Sequence, residues 1–585
     1  MENLFLIVLL CAVAVVITGY GTFNNRQRNK YIERCIRESY GAPNTRVFKD
    51  GEYKHIPGYH KNHPSEYEVD DITWNDLDMD AVFMEANRTQ SSAGEEYLYH
   101  LFRAPLTDVL QVEEVLRDIE PKIAHYMDNE ADRVDMQLTM NKCGRTGKYS
   151  IYDYLNNLEI IADENFNQDV WLLLMYGVAV FVMFINFGIG AVAFAALLMY
   201  GGVTYFTKKR RIEPYIISFA YVFRVINGAN IICSKKQSVI EAEQKRLKEL
   251  GRQMNSFSRF SYLIMSRNSG TGNILEILLD YVRMFFHLDI IKFFQMRDQL
   301  GKHWDDIDEM LTIMGKIDSA LAIASYRAYL GNYCQPDFVY GDNNDSCPDY
   351  EAKAIYHPLL SNPVVNDVNL TRGIILTGSN ASGKSTMLKT VTVAAIMAQS
   401  IGTVPADSYR APAFRVYTSL ALNDDIFAGE SYYMTEIKSL KRILDHGSDE
   451  GAPILACVDE VLRGTNTIER ISASSIILEN LSKVKGRILA ATHDLELAEL
   501  LNDYYDNYHF EETIEGNDIS FEYKMVKGPA TSRNAIKLLE IVGYDKDIID
   551  KANEMARGYE ESGKYMIGGD LIGGDRDLQS NRRDT

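Results

Sequence analysis

The sequence has no closely spaced cysteines. Its seven cysteines are scattered over 585 residues, without a Cys-x-x-Cys pair and without histidines at the spacing of metal ligands. A zinc site needs such a cluster, and a disulfide framework is typical of short, cysteine-dense secreted chains. Neither is indicated, and a reducing, cytosolic setting fits the bulk of the chain.

The chain also lacks an excess of basic residues, since its net charge is −20. Binding to nucleic acid depends strongly on Lys and Arg side chains that neutralise phosphates. DNA binding would therefore need a basic face that is locally concentrated. The length exceeds what one hydrophobic core supports, so we expect several packed units, or two domains plus membrane elements.

Charged residues are absent from the whole of Val170–Phe206. An uncharged run of this length is rare in soluble domains, and a helix of about 20 apolar residues crosses a bilayer. Its middle, Asn186–Gly190, contains the polar and glycine residues that a tight reversal needs. We expect a transmembrane hairpin over residues 170–206, and a buried helical pair in a soluble core is the alternative. The basic run Lys208–Arg211 favours a cytoplasmic exit.

A second uncharged stretch, Leu4–Phe23, is long enough for an N-terminal anchor. A cleaved signal peptide is the alternative. It is disfavoured because Glu2 stands where basic residues are usual, and no small-x-small cleavage site precedes the charged run. The positive-inside bias keeps the basic residues after the anchor in the cytoplasm: Arg26, Arg28, Lys30 and Arg34.

A phosphate-binding loop follows the short apolar strand Ile374–Thr377 and precedes an apolar helix. The pattern GxxxxGK[ST] in this context predicts a nucleotide site, because glycines let backbone N–H groups curl round phosphates at a helix N-terminus. Lys384 is expected to neutralise the β- and γ-oxygens of ATP, and Ser385 to ligate Mg²⁺. The predicted cofactor-binding residues are Gly378, Ser379, Asn380, Ala381, Ser382, Gly383, Lys384, Ser385 and Thr386.

Two further strands end in side chains that suit ATP hydrolysis. The apolar run Ile454–Val458 ends in Asp459 and Glu460, a Walker B arrangement. Asp459 is expected to hold Mg²⁺ and Glu460 to polarise the attacking water as general base. The run RILAAT ends at His493, where a γ-phosphate sensor would lie in this fold.

Together these segments resemble the MutS family. TGSNASGKSTML at Thr377 resembles its Walker A segment, VDEVLRGTNT at Val458 its Walker B segment and D-loop, and ATH at Ala491 its H-loop. Weaker likenesses extend the resemblance over about Thr73–Gly558, apart from the hairpin. They are DMDAVFMEANRTQ at Asp78, YCQPDF at Tyr333, YHPLL at Tyr356, NDV at Asn366, NYHFEE at Asn507 and KGPATSRNAIKLLEIVGY at Lys527.

The resemblance implies a homodimer through the ATPase domains. GESYYMTE, residues 429–436, takes the place of the family's GRSTFMVE segment, whose serine reaches the partner's nucleotide. Ser431 keeps that serine, while Glu430 replaces the family's arginine. Nucleotide state would then move helical levers, and the apolar hairpin lies where the family inserts its DNA clamp. About 70 residues precede the core-like segment, so we expect the mismatch-recognition and connector domains to be absent.

The expected fold is an α/β P-loop NTPase domain of the ABC/MutS type, preceded by an all-α lever/core domain that carries transmembrane helices. Apolar residues at helical spacing on both sides of the hairpin predict the all-α part. The expected segments are a membrane anchor (1–23), a cytoplasmic linker (24–72), helical core (73–169), the hairpin (170–206), helical lever (207–336), the ATPase domain (337–562) and a disordered tail (563–585).

Three functions compete at this point. The first is a membrane-anchored MutS-type ATPase with its ATPase domain in the cytoplasm, which uses ATP and Mg²⁺ and still contacts DNA, mismatched or structured. The second is an ATP-driven membrane mechanoprotein that does not bind DNA, favoured by the net acidity. The third is half of an ABC-type transporter, which ranks lowest because an LSGGQ-type signature and enough spans for a pathway are missing.

Overall fold

A computed structural model gives the architecture of the chain. It describes residues 23–24, 26–46, 52–146, 150–156, 166–254, 281–340, 347–379, 382–420, 432–449, 451–463, 465–515, 518–530, 535–562, 566–567 and 570–571. The expected N-terminal anchor up to residue 22, most of the predicted tail, and the site residues Asn380, Ala381 and Ser431 lie outside these ranges.

Helices predominate before residue 336 and alternate with strands after it. The named helices are α1 (Gly58–Asn62), α2 (Asp71–Asp76), α3 (Met79–Ala86), α4 (Ser92–Arg103), α5 (Val109–Asp128), α6 (Glu130–Cys143), α7 (Ile151–Asn156), α8 (Phe166–Ile185), α9 (Phe187–Ser234), α10 (Glu241–Gln253), α11 (Leu288–Lys302), α12 (Trp304–Leu330), α13 (Lys384–Ile401), α14 (Tyr432–Gly447), α15 (Thr467–Ser482), α16 (Leu495–Leu500), α17 (Ala535–Val542) and α18 (Lys546–Ser562).

The strands are β1 (Asp337–Phe338), β2 (Tyr350–Ile355), β3 (Asn366–Leu370), β4 (Gly373–Thr377), β5 (Ser408–Ala411), β6 (Arg415–Ser419), β7 (Ile454–Asp459), β8 (Gly486–Ala491), β9 (Tyr505–Glu515), β10 (Asp518–Lys527), β11 (Met566–Ile567) and β12 (Asp570–Leu571). The chain divides into two compact units. Unit 1 comprises residues 1–70, 78–335 and 396–404, and unit 2 comprises residues 71–77, 336–395 and 405–585.

Unit 1 is built round the long helix α12, most of which is buried. Helix α4 packs very closely on it, because a Cβ added at Gly94 would lie 2.3 Å from an oxygen of Asp318. The buried Asp318 carboxylate accepts hydrogen bonds from the Ser91 hydroxyl (2.6 Å) and the Ser91 backbone N–H (2.8 Å). Since Ser91 is the N-cap of α4, α12 fixes the point at which α4 begins.

The apolar run predicted as a hairpin folds as two helices, α8 and α9, joined at Asn186 alone. Helix α9 does not end near Phe206, as the hairpin prediction implied. It is 48 residues long in total and runs from Phe187 to Ser234. The basic run after the hairpin does not stop it, because Lys and Arg are good helix formers and acidic partners pair with two of them. Lys208 lies 2.9 Å from Asp169, and Lys209 lies 3.1 Å from Asp289.

In the segment expected to be a linker, residues 24–72, the described residues include helices and buried side chains. Residues 26–39 are helical, and Ile56 and Val69 are completely buried in unit 1. Their wide spacing gives neither a helical nor a strand period, so the sequence pattern did not reveal this packing.

A short piece of the early chain belongs to unit 2. In helix α2, Asp76 accepts hydrogen bonds from the Thr418 hydroxyl (2.7 Å) and from the Leu420 backbone N–H (2.9 Å). These bonds tie α2 to the end of strand β6. Unit 2 therefore includes residues outside the range 337–562 that was predicted for the ATPase domain.

Unit 2 contains a six-stranded sheet with the order β10-β9-β4-β8-β7-β6. Neighbouring strands in this sheet are parallel, except that β10 pairs antiparallel with β9. Strands β4, β7 and β8 are buried on both faces, which explains their continuous apolar sequences. Their carboxyl ends lie at one edge of the sheet, the edge at which open α/β sheets bind ligands.

Candidate nucleotide-binding site

The loop after β4 has the backbone shape of a phosphate-binding loop. Gly378 and Gly383 have φ angles of +143° and +107°, which side-chain-bearing residues rarely adopt. Lys384, the first residue of α13, is 5% exposed, and its ammonium donates to the carbonyl oxygens of Gly378 (2.9 Å) and Ser379 (2.8 Å). The predicted lysine thus lies inside the curve of its own loop.

Ser385 and Asp459 lie side by side at the ends of neighbouring elements. The Ser385 hydroxyl donates a hydrogen bond to the Asp459 carboxylate. Burial raises the pKa of Asp459 above its usual value, and the Ser385 hydrogen bond opposes this effect. A hydroxyl and a carboxylate oxygen are ligands that suit Mg²⁺, which usually takes one or two protein ligands and completes its shell with phosphates and water.

Glu460 lies beside His493 in an unusual backbone conformation. Its φ angle is +52°, and its backbone N–H donates to the carbonyl of Ala491 at the end of β8 (2.9 Å). The carboxylate lies 2.8 Å from His493 Nε2 and 2.8 Å from the guanidinium of Arg463. The His493 hydrogen bond, together with nearby positive charges, lowers the pKa of Glu460, so this carboxyl is ionised at neutral pH. An ionised carboxylate can accept a proton from water.

A buried glutamate on helix α14 holds the turn that follows Glu460. The Glu436 carboxylate accepts a hydrogen bond from the backbone N–H of Leu462, which has a φ angle of +58°. Burial raises the pKa of Glu436. Glu436 lies in the same sequence segment as Ser431, but no role was predicted for it. Its contact with the Leu462 N–H joins residues 26 positions apart, which no local motif reveals.

The phosphate-binding loop, the two carboxylates at the end of β7 and His493 line one cavity of about 490 Å³. Lys384, Asp459, Glu460 and His493 line its polar end. The rest of the lining comes from distant strands and loops, and includes Tyr356, His357, Leu360, Val364, Phe510 and Tyr523. A polar end that contains the phosphate loop, next to aromatic and aliphatic walls, matches the chemistry of a nucleotide.

Backbone pairing explains how the aromatic walls reach the phosphate loop. Strand β9 pairs with β4 so that His509 lies opposite Thr377. Phe510 therefore follows beside the loop, and a Cβ added at Gly378 would lie 3.1 Å from its carbonyl oxygen. Tyr523 is held on β10, because its carbonyl accepts a hydrogen bond from the side chain of Asn366 (3.0 Å). The sequence did not predict that Phe510 and Tyr523 line the cavity, because no local motif contains them.

The residues fit a magnesium nucleotide. The Ser385 and Asp459 oxygens suit the metal ion. In addition, the Ser382 hydroxyl in the loop is buried and has no hydrogen-bond partner, which is typical of a polar atom that contacts a ligand. No group of three His, Cys, Asp or Glu side chains suited to a metal occurs in the described part of the chain. A metal ion here would accordingly depend on the phosphates of its nucleotide.

The structure brings most of the predicted site residues together. Ser382, Gly383, Lys384, Ser385, Thr386, Asp459, Glu460 and His493 all line the cavity. Gly378 and Ser379 lie in the same loop, where their carbonyls accept from Lys384. The remaining predictions, Asn380, Ala381 and Ser431, fall among residues that the structure does not describe.

Comparisons with known proteins agree with this geometry. Residues 374–560 match the family model of MutS domain V. The DNA mismatch repair protein MutS of Lactobacillus delbrueckii subsp. bulgaricus is 31% identical over 283 residues, 47% of this chain and 32% of that protein. The Thermotoga maritima protein of the same name is 32% identical over 268 residues, 44% of this chain and 32% of its own length.

The chain thus spans about a third of the length of the curated relatives that it matches. The matched domain contains the phosphate loop, the Walker B strand and His493, so the sequence likeness and the cavity describe the same part of the molecule. Residues 374–560 of the chain are thus similar to domain V of the MutS family.

Proposed function

We propose that this protein binds and hydrolyses ATP with Mg²⁺ in the cavity of unit 2. The observation that carries the proposal is the convergence of Lys384, Ser385, Asp459, Glu460 and His493, which come from three separate segments of the chain, on one cavity. A chance match to a loop pattern would not bring a hydroxyl, two carboxylates, an ammonium and an imidazole to the same space.

Each side chain at the site has a separate role in the proposed hydrolysis of ATP. Lys384 and the loop N–H groups bind the phosphates, and Ser385 and Asp459 hold Mg²⁺, which would neutralise phosphate charge. Glu460 takes the proton of the attacking water, which explains why its carboxyl must stay ionised. His493, 2.8 Å from Glu460 and 3.4 Å from Lys384, orients the base and contacts the phosphate end. Glu436 positions Glu460 by holding the following turn.

Hydrolysis is proposed to occur in a homodimer and to move the helical unit. Helix α13 begins at the phosphate loop in unit 2, and its residues from Ile396 belong to unit 1. Within unit 1 this end of the helix is firmly held, because Gln399 donates to the Leu106 carbonyl (2.7 Å) and Arg327 donates to the Gly402 carbonyl (2.9 Å). A shift of the loop on nucleotide binding would be passed along a rigid helix.

The protein is further proposed to act at a membrane, with the ATPase unit in the cytoplasm. Two helices, Gln168–Ile185 and Phe187–Arg210, are long and apolar enough to cross a bilayer. Only 22% and 11% of their residues are buried in the protein. A pair of core helices in a soluble protein would be mostly buried, so the exposed surface favours lipid contact.

Duplex DNA as an effector is the second candidate. Its support is the name of the relatives, which are DNA mismatch repair proteins. The net charge of −20 opposes it, because a DNA-binding surface would have to be locally basic. Without DNA, the same ATPase would be a membrane mechanoprotein.

ATP turnover by the detergent-solubilised protein, with and without duplex and branched DNA, tests both proposals. The ATPase proposal expects Mg²⁺-dependent turnover that Lys384→Ala and Glu460→Gln abolish. If all three proteins hydrolyse ATP equally, the cavity is not the active site. Stimulation by DNA that disappears as salt rises would support DNA as an effector, and turnover indifferent to DNA would support the mechanoprotein.

A further inference from the structure

The hairpin made by α8 and the first half of α9 directs apolar side chains away from the protein. On α8 a narrow stripe is buried: Asp169, Leu172, Tyr176 and Ala179. The side chains that are more than half exposed are Trp171, Leu174, Met175, Val178, Phe181, Phe184, Ile185, Phe187, Ile189, Val192, Met199, Tyr200, Val203 and Phe206. Soluble monomers rarely expose a continuous apolar surface of this extent, so this surface needs a partner.

Polar groups are concentrated at the base of the hairpin, where it joins the rest of unit 1. Asp169 lies 2.9 Å from Lys208 and 2.7 Å from His287. Asp289 is next to this cluster and accepts a hydrogen bond from the Tyr205 hydroxyl (2.8 Å). The exposed Trp171 and Tyr200 lie in the base half of the hairpin, whereas Tyr176 and Tyr205 in the same half are buried against the protein. This is the pattern of a single membrane interface, with aromatic and basic anchors together.

The tip of the hairpin has no such anchors. Residues 177–199 contain one polar side chain, that of Asn186, and no Trp, Tyr, Lys or Arg. Asn186 forms local hydrogen bonds, since its side-chain oxygen accepts from the Ile189 N–H (3.2 Å), its N–H donates to the Val182 carbonyl (2.8 Å) and its carbonyl accepts from the Gly190 N–H (3.0 Å). The turn therefore has little need of water, as expected for a backbone in hydrocarbon.

Length leads to the same conclusion. The apolar part of α8, Val170–Ile185, spans about 24 Å at 1.5 Å per residue, and the hydrocarbon core of a bilayer is about 30 Å thick. The apolar part of α9, Phe187–Phe206, spans about 30 Å, so the shorter arm α8 limits the depth that the tip reaches when the base stays at one interface. A spanning hairpin would also expose Phe184, Ile185 and Phe187 to that water, which is unfavourable.

We propose that the hairpin enters a lipid bilayer from one side only, as a wedge, and that its tip around Asn186 remains in the hydrocarbon. This inference rests on the proposed membrane location and specifies it. The base meets the head groups on the side of the ATPase unit, where Arg210 is exposed and suits anionic lipids. The occupant of the exposed surface is lipid.

The wedge is rigidly joined to the helical unit. Helix α9 runs unbroken from the tip to Ser234, about 72 Å at 1.5 Å per residue. Its distal part is buried in the core of unit 1, where Phe219, Tyr221 and Val225 are at most 2% exposed. Any rearrangement of that core would tilt the wedge in the bilayer, and a change in membrane packing around the wedge would in turn act on the core.

Thiol accessibility in vesicles tests the wedge. Asn186→Cys at the tip and Thr207→Cys at the base are placed in a full-length variant whose seven native cysteines are replaced and whose ATP turnover is retained. A membrane-impermeant maleimide is added outside or trapped inside vesicles that contain anionic lipid. We expect the thiol at the base to react only from the ATPase side and the thiol at the tip to react from neither side, whereas both react in denaturant.

The other outcomes separate the wedge from the membrane proposal. Reaction of the tip thiol only from the side opposite the ATPase unit would mean a full span, and would overturn the wedge while the membrane location stands. Reaction of the tip thiol from the ATPase side would mean that the hairpin lies outside the bilayer. Protein that fails to float with vesicles would contradict the membrane location itself.

A second measurement distinguishes lipid from a second copy of the chain as the occupant. In Phe187→Trp, made in a chain whose three native tryptophans (Trp74, Trp171 and Trp304) are replaced by Phe, we expect emission from the new tryptophan to be quenched by lipids brominated on their acyl chains. An unquenched Trp at this position, with the protein still bound to the vesicles, would mean that protein covers the tip, and would overturn the proposal.

Discussion

Both units bury charged side chains, but they use them differently. In unit 1, the Arg327 guanidinium pairs with Glu120 and donates to the Thr403 hydroxyl (2.8 Å), so its donors are used within the fold. In unit 2, Lys384, Asp459 and Glu460 converge on the open space of a cavity. Removal of one partner from a buried charge pair destabilises a fold, while charged groups that line a cavity are typical of a functional site. Substitutions in the first group should change stability, and those in the second should change chemistry.

The largest effect on stability is expected for Arg327→Met. Its side chain is 1% exposed, and its loss removes the charged partner of Glu120 and the donor to the Thr403 hydroxyl and the Gly402 carbonyl. Removal of one partner from a buried pair typically costs about 4 kcal/mol. Chemical denaturation should show this loss in unit 1. Arg246→Met is the matched control, because Arg246 and its partner Glu309 are 46% and 40% exposed, and it should change stability far less than Arg327→Met.

A pH-dependent loss is expected for Glu95→Gln in unit 1. Burial opposes ionisation of Glu95, but the hydrogen bond of His55 and the charges of Arg145 and Arg46 outweigh it and lower the pKa to about 2. A lowered pKa stabilises the fold above the unfolded value of about 4.5, and this contribution is lost as pH falls toward 2.

The free energy of unfolding measured from pH 7 to pH 3 checks this. Wild type and Glu95→Gln should differ by about 3 kcal/mol at neutral pH, and this difference should fall to less than half as the pH is lowered to 3. Glu130→Gln, whose side chain is 57% exposed, is the control and should show little difference at any pH. A constant difference across the range would contradict the assignment to the Glu95 charge.

Unlike the charged clusters of the two units, the hairpin exposes apolar side chains. Phe187→Asp tests whether lipid covers them. Phe187 is 75% exposed at the tip. An Asp in hydrocarbon costs about 3 kcal/mol, so the insertion equilibrium should shift about 100-fold towards the uninserted form. Protection of residues 170–206 from proteinase K in vesicles should be lost. Thr207→Asp at the base should stay protected, and protection of both variants would argue against lipid burial of the tip.

Lys384→Met should leave the fold intact and weaken ATP binding. The ammonium lies in the phosphate loop, and a charged hydrogen bond contributes about 1.5–3 kcal/mol, so the Kd for ATP should rise about 10- to 150-fold. Equilibrium binding of a fluorescent ATP analogue measures this. Lys483→Met, whose side chain is 58% exposed on unit 2, should bind normally. A large loss of stability in Lys384→Met would place this lysine with the structural charges instead.

The sequence predicts what is local and misses what the fold brings together. Lys384, Ser385, Asp459 and Glu460 belong to contiguous motifs, each read from a strand and the loop that follows it. Phe510 and Tyr523 reach the cavity only because β9 and β10 lie beside β4. No short-range pattern encodes that neighbourhood.

Two departures in the helical part have the same origin. The contact of Asp76 with Thr418 joins residues 342 positions apart, so the membership of helix α2 in unit 2 could not be read from a linear pattern. Helix α9 continues past Phe206 because Asp169 and Asp289, distant in sequence, neutralise Lys208 and Lys209. The composition of the basic run alone indicated an end of the hairpin.

ATP turnover by the full-length protein in lipid vesicles, measured beside Glu460→Gln and the exposed control Glu499→Gln, tests the central claim most directly. Loss of a general base costs about 10²- to 10⁴-fold, so Glu460→Gln should retain ATP binding and lose turnover by that factor. Glu499→Gln, which lies outside the cavity on helix α16, should match the wild type. Equal turnover by all three proteins, or none by the wild type, would contradict the assignment of ATP hydrolysis to this cavity.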